Sequence, residues 1–215
     1  MRKLPQSEAF LIDGPAGDLE ALLETPRDHT PQACAVVCHP HPTQGGAMTN
    51  KVAHTLARSF VGQNMAALRF NFRGVGQSEG AFDDGVGEQQ DVHAAVAWMR
   101  ENLPDLPLWL AGFSFGAALA VRAAVADKPA GLVSVAPAVS RFANNLEEQP
   151  ACPWLIAQGD QDELVDIDET IDWVNTLDPG PELQVFPDTG HFFHGKLVVL
   201  RNAVEKFIAE NARAS

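Results

Sequence analysis

The sequence predicts an α/β fold: a mostly parallel sheet with helices on both faces and an antiparallel edge at its amino-terminal side. Three observations carry this. Short, continuously apolar runs recur along the chain, as strands covered on both faces require. Longer segments of helical pattern separate them, which is the rhythm of strand–helix–strand crossovers. The first two strand-like segments are joined by a turn, Gly14-Pro15-Ala16-Gly17, too short for a crossover, so they pair antiparallel.

The elements follow in order. Residues 8–13 and 19–24 read as the leading strands. An apolar run at 33–38 precedes a helix at 48–61; a strand at 66–70 precedes a helix at 86–101. A strand at 106–111 leads through a sharp turn into a helix from Phe115, whose stretch 117–125 is rich in alanine without Gly or Pro. Strands follow at 131–136 and 154–158, then a helix at 168–176, a strand at 183–186 and a closing helix at 195–211. No repeat, low-complexity tract or long linker divides the chain, and 215 residues suit a single domain spanning 1–215.

Composition narrows the function. Hydrophobic residues make up 46% and charged residues 20%, the balance of a globular chain. A formal charge of −13 opposes binding to nucleic acid, which needs a basic face, and adhesion to anionic membranes. No run approaches the ~20 apolar residues of a membrane span, and residues 1–11 lack the apolar core of a signal peptide. The three cysteines, Cys34, Cys38 and Cys152, give no disulfide framework and read as buried thiols of a reducing compartment. Cys34 and Cys38 face the same side of one strand. A cytoplasmic location is the expectation.

The most informative segment is Gly112-Phe113-Ser114-Phe115-Gly116, a G-x-S-x-G placed between a strand and a helix. In that setting the turn is so tight that side chains at 112 and 116 would clash. The turn lifts the Ser114 hydroxyl above the sheet and aims the Phe115 N–H at a forming oxyanion. A serine hydroxyl needs a base, and the base needs an orienting carboxylate. Asp162 follows the strand ending at Gln158, with Asp160 and Glu163 as local rivals. His191 follows the strand ending at Phe186, with His194 as its rival; Gly190 suits a sharp loop beside it. Along the chain the three come in the order Ser114, Asp162, His191.

Two further loops leave strand ends. In His39-Pro40-His41-Pro42-Thr43, proline has no N–H, so after His39 only His41 and Thr43 can donate from the backbone; as a candidate oxyanion donor His41 is favoured, because the prolines around it stiffen the loop. The histidines lack a carboxylate at metal-binding spacing, so no metal is expected. The loop 71–78, Asn-Phe-Arg-Gly-Val-Gly-Gln-Ser, fits neither phosphate-binding nor dinucleotide patterns, so no cofactor is expected. It reads as structural, with Arg73 available to a carboxylate and Ser78 a turn residue.

These pieces together resemble the α/β-hydrolase superfamily over nearly the full chain. The His-Pro-His-Pro loop, with Asn50-Lys51-Val52 beyond, looks like that of small bacterial members. The resemblance implies a Ser114–Asp162–His191 triad and an oxyanion hole from Phe115 and His41. The chain departs from the pattern at one point, where His39-Pro40 stands in place of the common His-Gly. Residues 137–153 are too short for a lid beyond one small helix, so the site is expected to be open, with Phe113, Phe115, Phe142 and Phe192 available as apolar walls. The expected function is a serine hydrolase of carboxylic esters or thioesters acting on a small-molecule acyl substrate. A peptidase of the same fold and a non-catalytic binding domain are the alternatives.

Overall fold

A computed structural model describes residues 6–142 and 148–212. One eight-stranded sheet runs in the order β1-β2-β4-β3-β5-β6-β7-β8. Its strands are β1 (Gln6–Ile12), β2 (Leu19–Thr25), β3 (Cys34–Cys38), β4 (Ala66–Phe70), β5 (Leu108–Phe113), β6 (Gly131–Val135), β7 (Trp154–Gly159) and β8 (Glu182–Phe186). β1 pairs antiparallel with β2, and β2 with β4; every later pairing is parallel.

The continuous apolar character of the central strands has a direct structural cause. Successive side chains of a strand point to opposite faces, so a strand with helices on both sides must be apolar throughout. On β3, Cys34, Val36 and Cys38 pack with Val92 and Val96 of α2 (Val86–Asn102) and Leu119 of α3 (Phe115–Asp127). Ala35 and Val37 pack instead with Leu56 and Phe60 of α1 (Lys51–Gly62) and Val204 of α6 (Leu197–Asn211).

Helix starts are set by local chemistry. The pattern suggests α1 from 48, but the helix begins at Lys51 because the Asn50 side chain accepts from the Val52 and Ala53 N–H groups. Asp166 does the same for α5 (Ile167–Val174). The closing helix begins at Leu197 rather than 195, since Gly195 has φ 72°, outside the helical region. β5 extends to Phe113, carrying the strand to the turn at Ser114. Between β6 and β7 the described residues hold one short helix, α4 (Val139–Phe142), and no lid; residues 143–147 of the expected lidless segment lie outside the described residues. Every loop considered below leaves the carboxyl end of a parallel strand, where ligand sites of such sheets form.

Candidate active site

β5 delivers Ser114 in a strained conformation, φ 56° and ψ −118°. Such a conformation persists only where the surroundings over-determine it. Here the Ser114 N–H donates to the Val135 carbonyl at 2.8 Å and its carbonyl accepts from Ala118 at 3.1 Å. A Cβ on Gly112 would lie 2.3 Å from the Gly116 oxygen, and one on Gly116 would lie 2.3 Å from the His39 oxygen. The first is the clash expected from the sequence. The second shows that the turn also packs backbone to backbone on the loop after β3.

The loops after β7 and β8 bring Asp162 and His191 to Ser114. His191 Nε2 lies 3.1 Å from Ser114 Oγ, and its Nδ1 lies 2.8 and 3.0 Å from the two Asp162 oxygens. A carboxylate accepts only, so Nδ1 carries the proton and the Nε2 lone pair faces the serine hydroxyl. The Asp162 side chain is fully buried. Its oxygens also accept from the Leu164 N–H at 2.9 Å, the Val165 N–H at 2.8 Å and the Gln158 amide at 3.0 Å. Burial pushes this carboxyl up, but the bonds from His191, Val165 and Leu164 together hold it below its ordinary value.

The rival side chains take other places. Asp160 accepts from the Thr189 N–H at 3.3 Å and Glu163 from the His191 N–H at 3.1 Å, so both hold the histidine loop. His194 is exposed, its ring 5.8 Å from that of Phe192. Gly190 serves differently from the sequence expectation. The left-handed positions between β8 and α6 are Asp188, Phe193 and Gly195, whereas a Cβ on Gly190 would meet Glu163 Oε2 at 2.9 Å. Its bareness makes room for the carboxylate.

In the loop after β3, the His41 carbonyl accepts from Gln44 at 3.1 Å and Gly46 at 3.0 Å, closing a tight turn. Among the described residues, the His41 and Phe115 N–H groups have no protein acceptor. Thr43 is exposed and its hydroxyl meets His41 Nδ1 at 3.2 Å. The His41 ring lies among Phe82, Phe115 and Phe142, with centroids at 4.9, 5.0 and 6.0 Å. Desolvation there, helped by Arg141, lowers its pKa. His39 is wholly buried: Nε2 accepts from the Phe72 N–H at 3.0 Å and Nδ1 donates to the Pro40 carbonyl at 2.6 Å. Burial lowers its pKa to about 4. Arg73 finds its carboxylate in Asp91 of α2, at 2.7 Å, and Ser78 is a turn residue that donates to the Asn71 carbonyl at 2.7 Å. Of the four expected wall residues, Phe113 and Phe115 are buried, Phe113 lying 4.8 Å under the His191 ring; Phe142 is half-buried and Phe192 exposed.

A family model described as serine aminopeptidase, S33, matches residues 29–145. This chain belongs to the α/β-hydrolase superfamily. It is 44% identical to a lidless α/β serine hydrolase of Xanthomonas campestris, with a TM-score of 0.91 over 95% of this chain and 94% of that one. An α/β serine hydrolase homologue from Coxiella burnetii is 43% identical, TM-score 0.88, over 93% and 96%. An uncharacterised protein of Rickettsia prowazekii is 32% identical over 92% of this chain and 87% of its own.

Some supporting residues of this α/β-hydrolase were not legible beforehand. Gln158, at the end of β7, reads as an ordinary strand residue, yet its amide holds Asp162. Phe82 stands alone in a polar loop, with no pattern pointing to the His41 ring. Asp91 offers the one available signal: a charged residue at a buried position of α2 needs a partner.

Proposed function

We propose that this α/β-hydrolase is a serine hydrolase cleaving carboxylic esters or thioesters through an acyl-enzyme on Ser114. The observation that carries the reading is one imidazole, His191, hydrogen-bonded to Ser114 Oγ at 3.1 Å and to Asp162 at 2.8 Å. In this reading Oγ attacks the carbonyl carbon as its proton passes to His191 Nε2. Asp162 stabilises the imidazolium. The tetrahedral oxyanion accepts from the Phe115 and His41 N–H groups, each donor being worth about 3 kcal/mol in sites of this kind. The bond to the leaving alcohol or thiol breaks as His191 returns the proton. Water, activated by the same imidazole, then cleaves the acyl–Ser114 ester and releases the acid.

The substrate is a small acyl compound, consistent with a site over which the described residues place no lid. No described helix is long and apolar enough to cross a membrane, and with three free cysteines the proposed setting is the cytoplasm. Amide hydrolysis is the second reading, favoured by the description of the matching family model.

A fluorophosphonate probe tests the proposal. The expected result is an adduct on the parent and none on Ser114→Ala, followed by turnover of p-nitrophenyl esters or acyl-CoA thioesters. Preference for aminoacyl p-nitroanilides would select the amide reading. A folded parent that takes no label would sink the enzyme reading in favour of a binding domain.

A further inference from the structure

The loop after β3 has a buried histidine that no proton-transfer step uses. His39 is 0% exposed, and its two ring nitrogens are both engaged. The Phe72 N–H can only donate, so Nε2 is the acceptor and Nδ1 carries the proton toward the Pro40 carbonyl, 2.6 Å away. The tautomer is thereby fixed by the fold.

The bond acts on one particular peptide group. Pro40 C=O and His41 N–H belong to the same planar unit. Among the described residues the cis bond lies elsewhere, at Asp178–Pro179, so in this trans unit the two groups point in opposite directions. Fixing the oxygen end fixes where the N–H points. Donation to a carbonyl also polarises the amide and strengthens the bond its N–H can give, by about 10–30% per bond. The following carbonyl, of His41, is held separately by Gln44 and Gly46.

The same residue ties this loop to the serine turn. A Cβ on Gly116 would strike the His39 oxygen at 2.3 Å, and the His39 ring packs edge-on against Phe72, which in turn packs against Phe115. We infer that His39 is a positioning residue: through the Pro40–His41 peptide it aims and strengthens the His41 N–H as an oxyanion donor. The inference rests on the serine-hydrolase reading and on His41 as the second donor. It explains the His-Pro pair, in which proline leaves the loop stiff and the preceding imidazole holds the carbonyl of the donor peptide.

The test uses the full chain and p-nitrophenyl acetate. Ser114→Ala must abolish hydrolysis; if it does not, the serine-hydrolase reading falls and this inference with it. With that established, His39→Gln, whose amide can donate to Pro40 and accept from Phe72, keeps kcat within about threefold. His39→Met, which offers no donor, lowers kcat by about thirtyfold or more while KM stays within about threefold. A folded His39→Met with parental kcat overturns the inference. Should that variant not fold, the parent decides: phosphonylation of Ser114 shifts the His39 Nδ1 proton resonance downfield as the Pro40 carbonyl becomes a stronger acceptor. An unmoved resonance overturns it equally.

Discussion

The two halves of the candidate site are held in place by different physics. The serine half, β5 through α3, is positioned by shape. Ser114 sits at φ 56° because Gly112 and Gly116 let the backbone close on itself and on His39. The acid–histidine half is positioned by charge. Asp162 gathers bonds from Gln158, Leu164, Val165 and His191, while Asp160 and Glu163 hold the Thr189 and His191 N–H groups. The serine turn, fixed by backbone contact, admits no added bulk. The acid–histidine half admits a methyl group at Gly190 more easily, although a Cβ on Gly159 would strike the Thr189 oxygen at 2.1 Å.

The largest expected effect tests whether the halves work as one unit. Ser114→Ala and His191→Ala should each lower kcat by about 10⁴–10⁶, and the double variant should be little worse than either. Additive losses in steady-state kinetics would separate the halves.

Adding one methyl group to each half comes next. Gly116→Ala meets backbone at 2.3 Å and should cost about 3 kcal/mol or more in urea unfolding. Gly190→Ala meets the end of the Glu163 side chain at 2.9 Å, which can rotate away, and the Gln161 oxygen only at an ordinary 3.5 Å, so its cost should stay near about 1 kcal/mol. Equal costs would erase the distinction.

The pH dependence divides the halves by window, His39 lying against the serine turn. His39 has a folded pKa of about 4 against 6.5 unfolded. The unfolded chain therefore takes the proton first as pH falls. The stability from burying the neutral ring is complete above 6.5 and is lost between 6.5 and about 4, on the order of 3 kcal/mol in all. Asp162, held below its ordinary value, gives stability that persists above the carboxylate range and is lost only at lower pH. His39→Gln should flatten the stability slope in the upper window alone, as read from urea midpoints across pH. An unchanged slope would place that titration elsewhere.

The smallest effect concerns one support of the charged half. Glu163→Ala frees the His191 N–H but leaves both Asp162 bonds to the ring in place, so kcat should fall only a few-fold.

The shape-held half was the easier to read from sequence. Gly112, Ser114 and Gly116 form a local pattern, and local backbone geometry is what short motifs encode. Asp162 and His191 could be chosen among neighbours only through their places after strands. The roles of Asp160 and Glu163 depend on contacts between loops 28 and 29 residues apart, which no spacing rule carries. The role of Gly190 differed for the same reason: its neighbour in space, Glu163, is distant in sequence. The sheet was legible because burial on both faces writes itself into each strand. The starts of α1 and α6 shifted because a cap and a left-handed glycine override helical pattern.

The burial of the thiols has a practical consequence. Cys34 and Cys38 lie inside the sheet and Cys152 is half-buried. Desolvation pushes Cys34 and Cys152 up to about 11, and Cys38 up as well. At pH 7 only about one such thiol in ten thousand is ionised, and the thiolate is the form that attacks electrophiles. Covalent reagents that cross-react with cysteine and serine, β-lactones and activated carbamates among them, should then meet no competing thiolate on the folded chain, leaving the proposed nucleophile Ser114 as the expected site of label. Intact-mass spectrometry would count modified active sites directly, without cysteine-free variants or blocking steps.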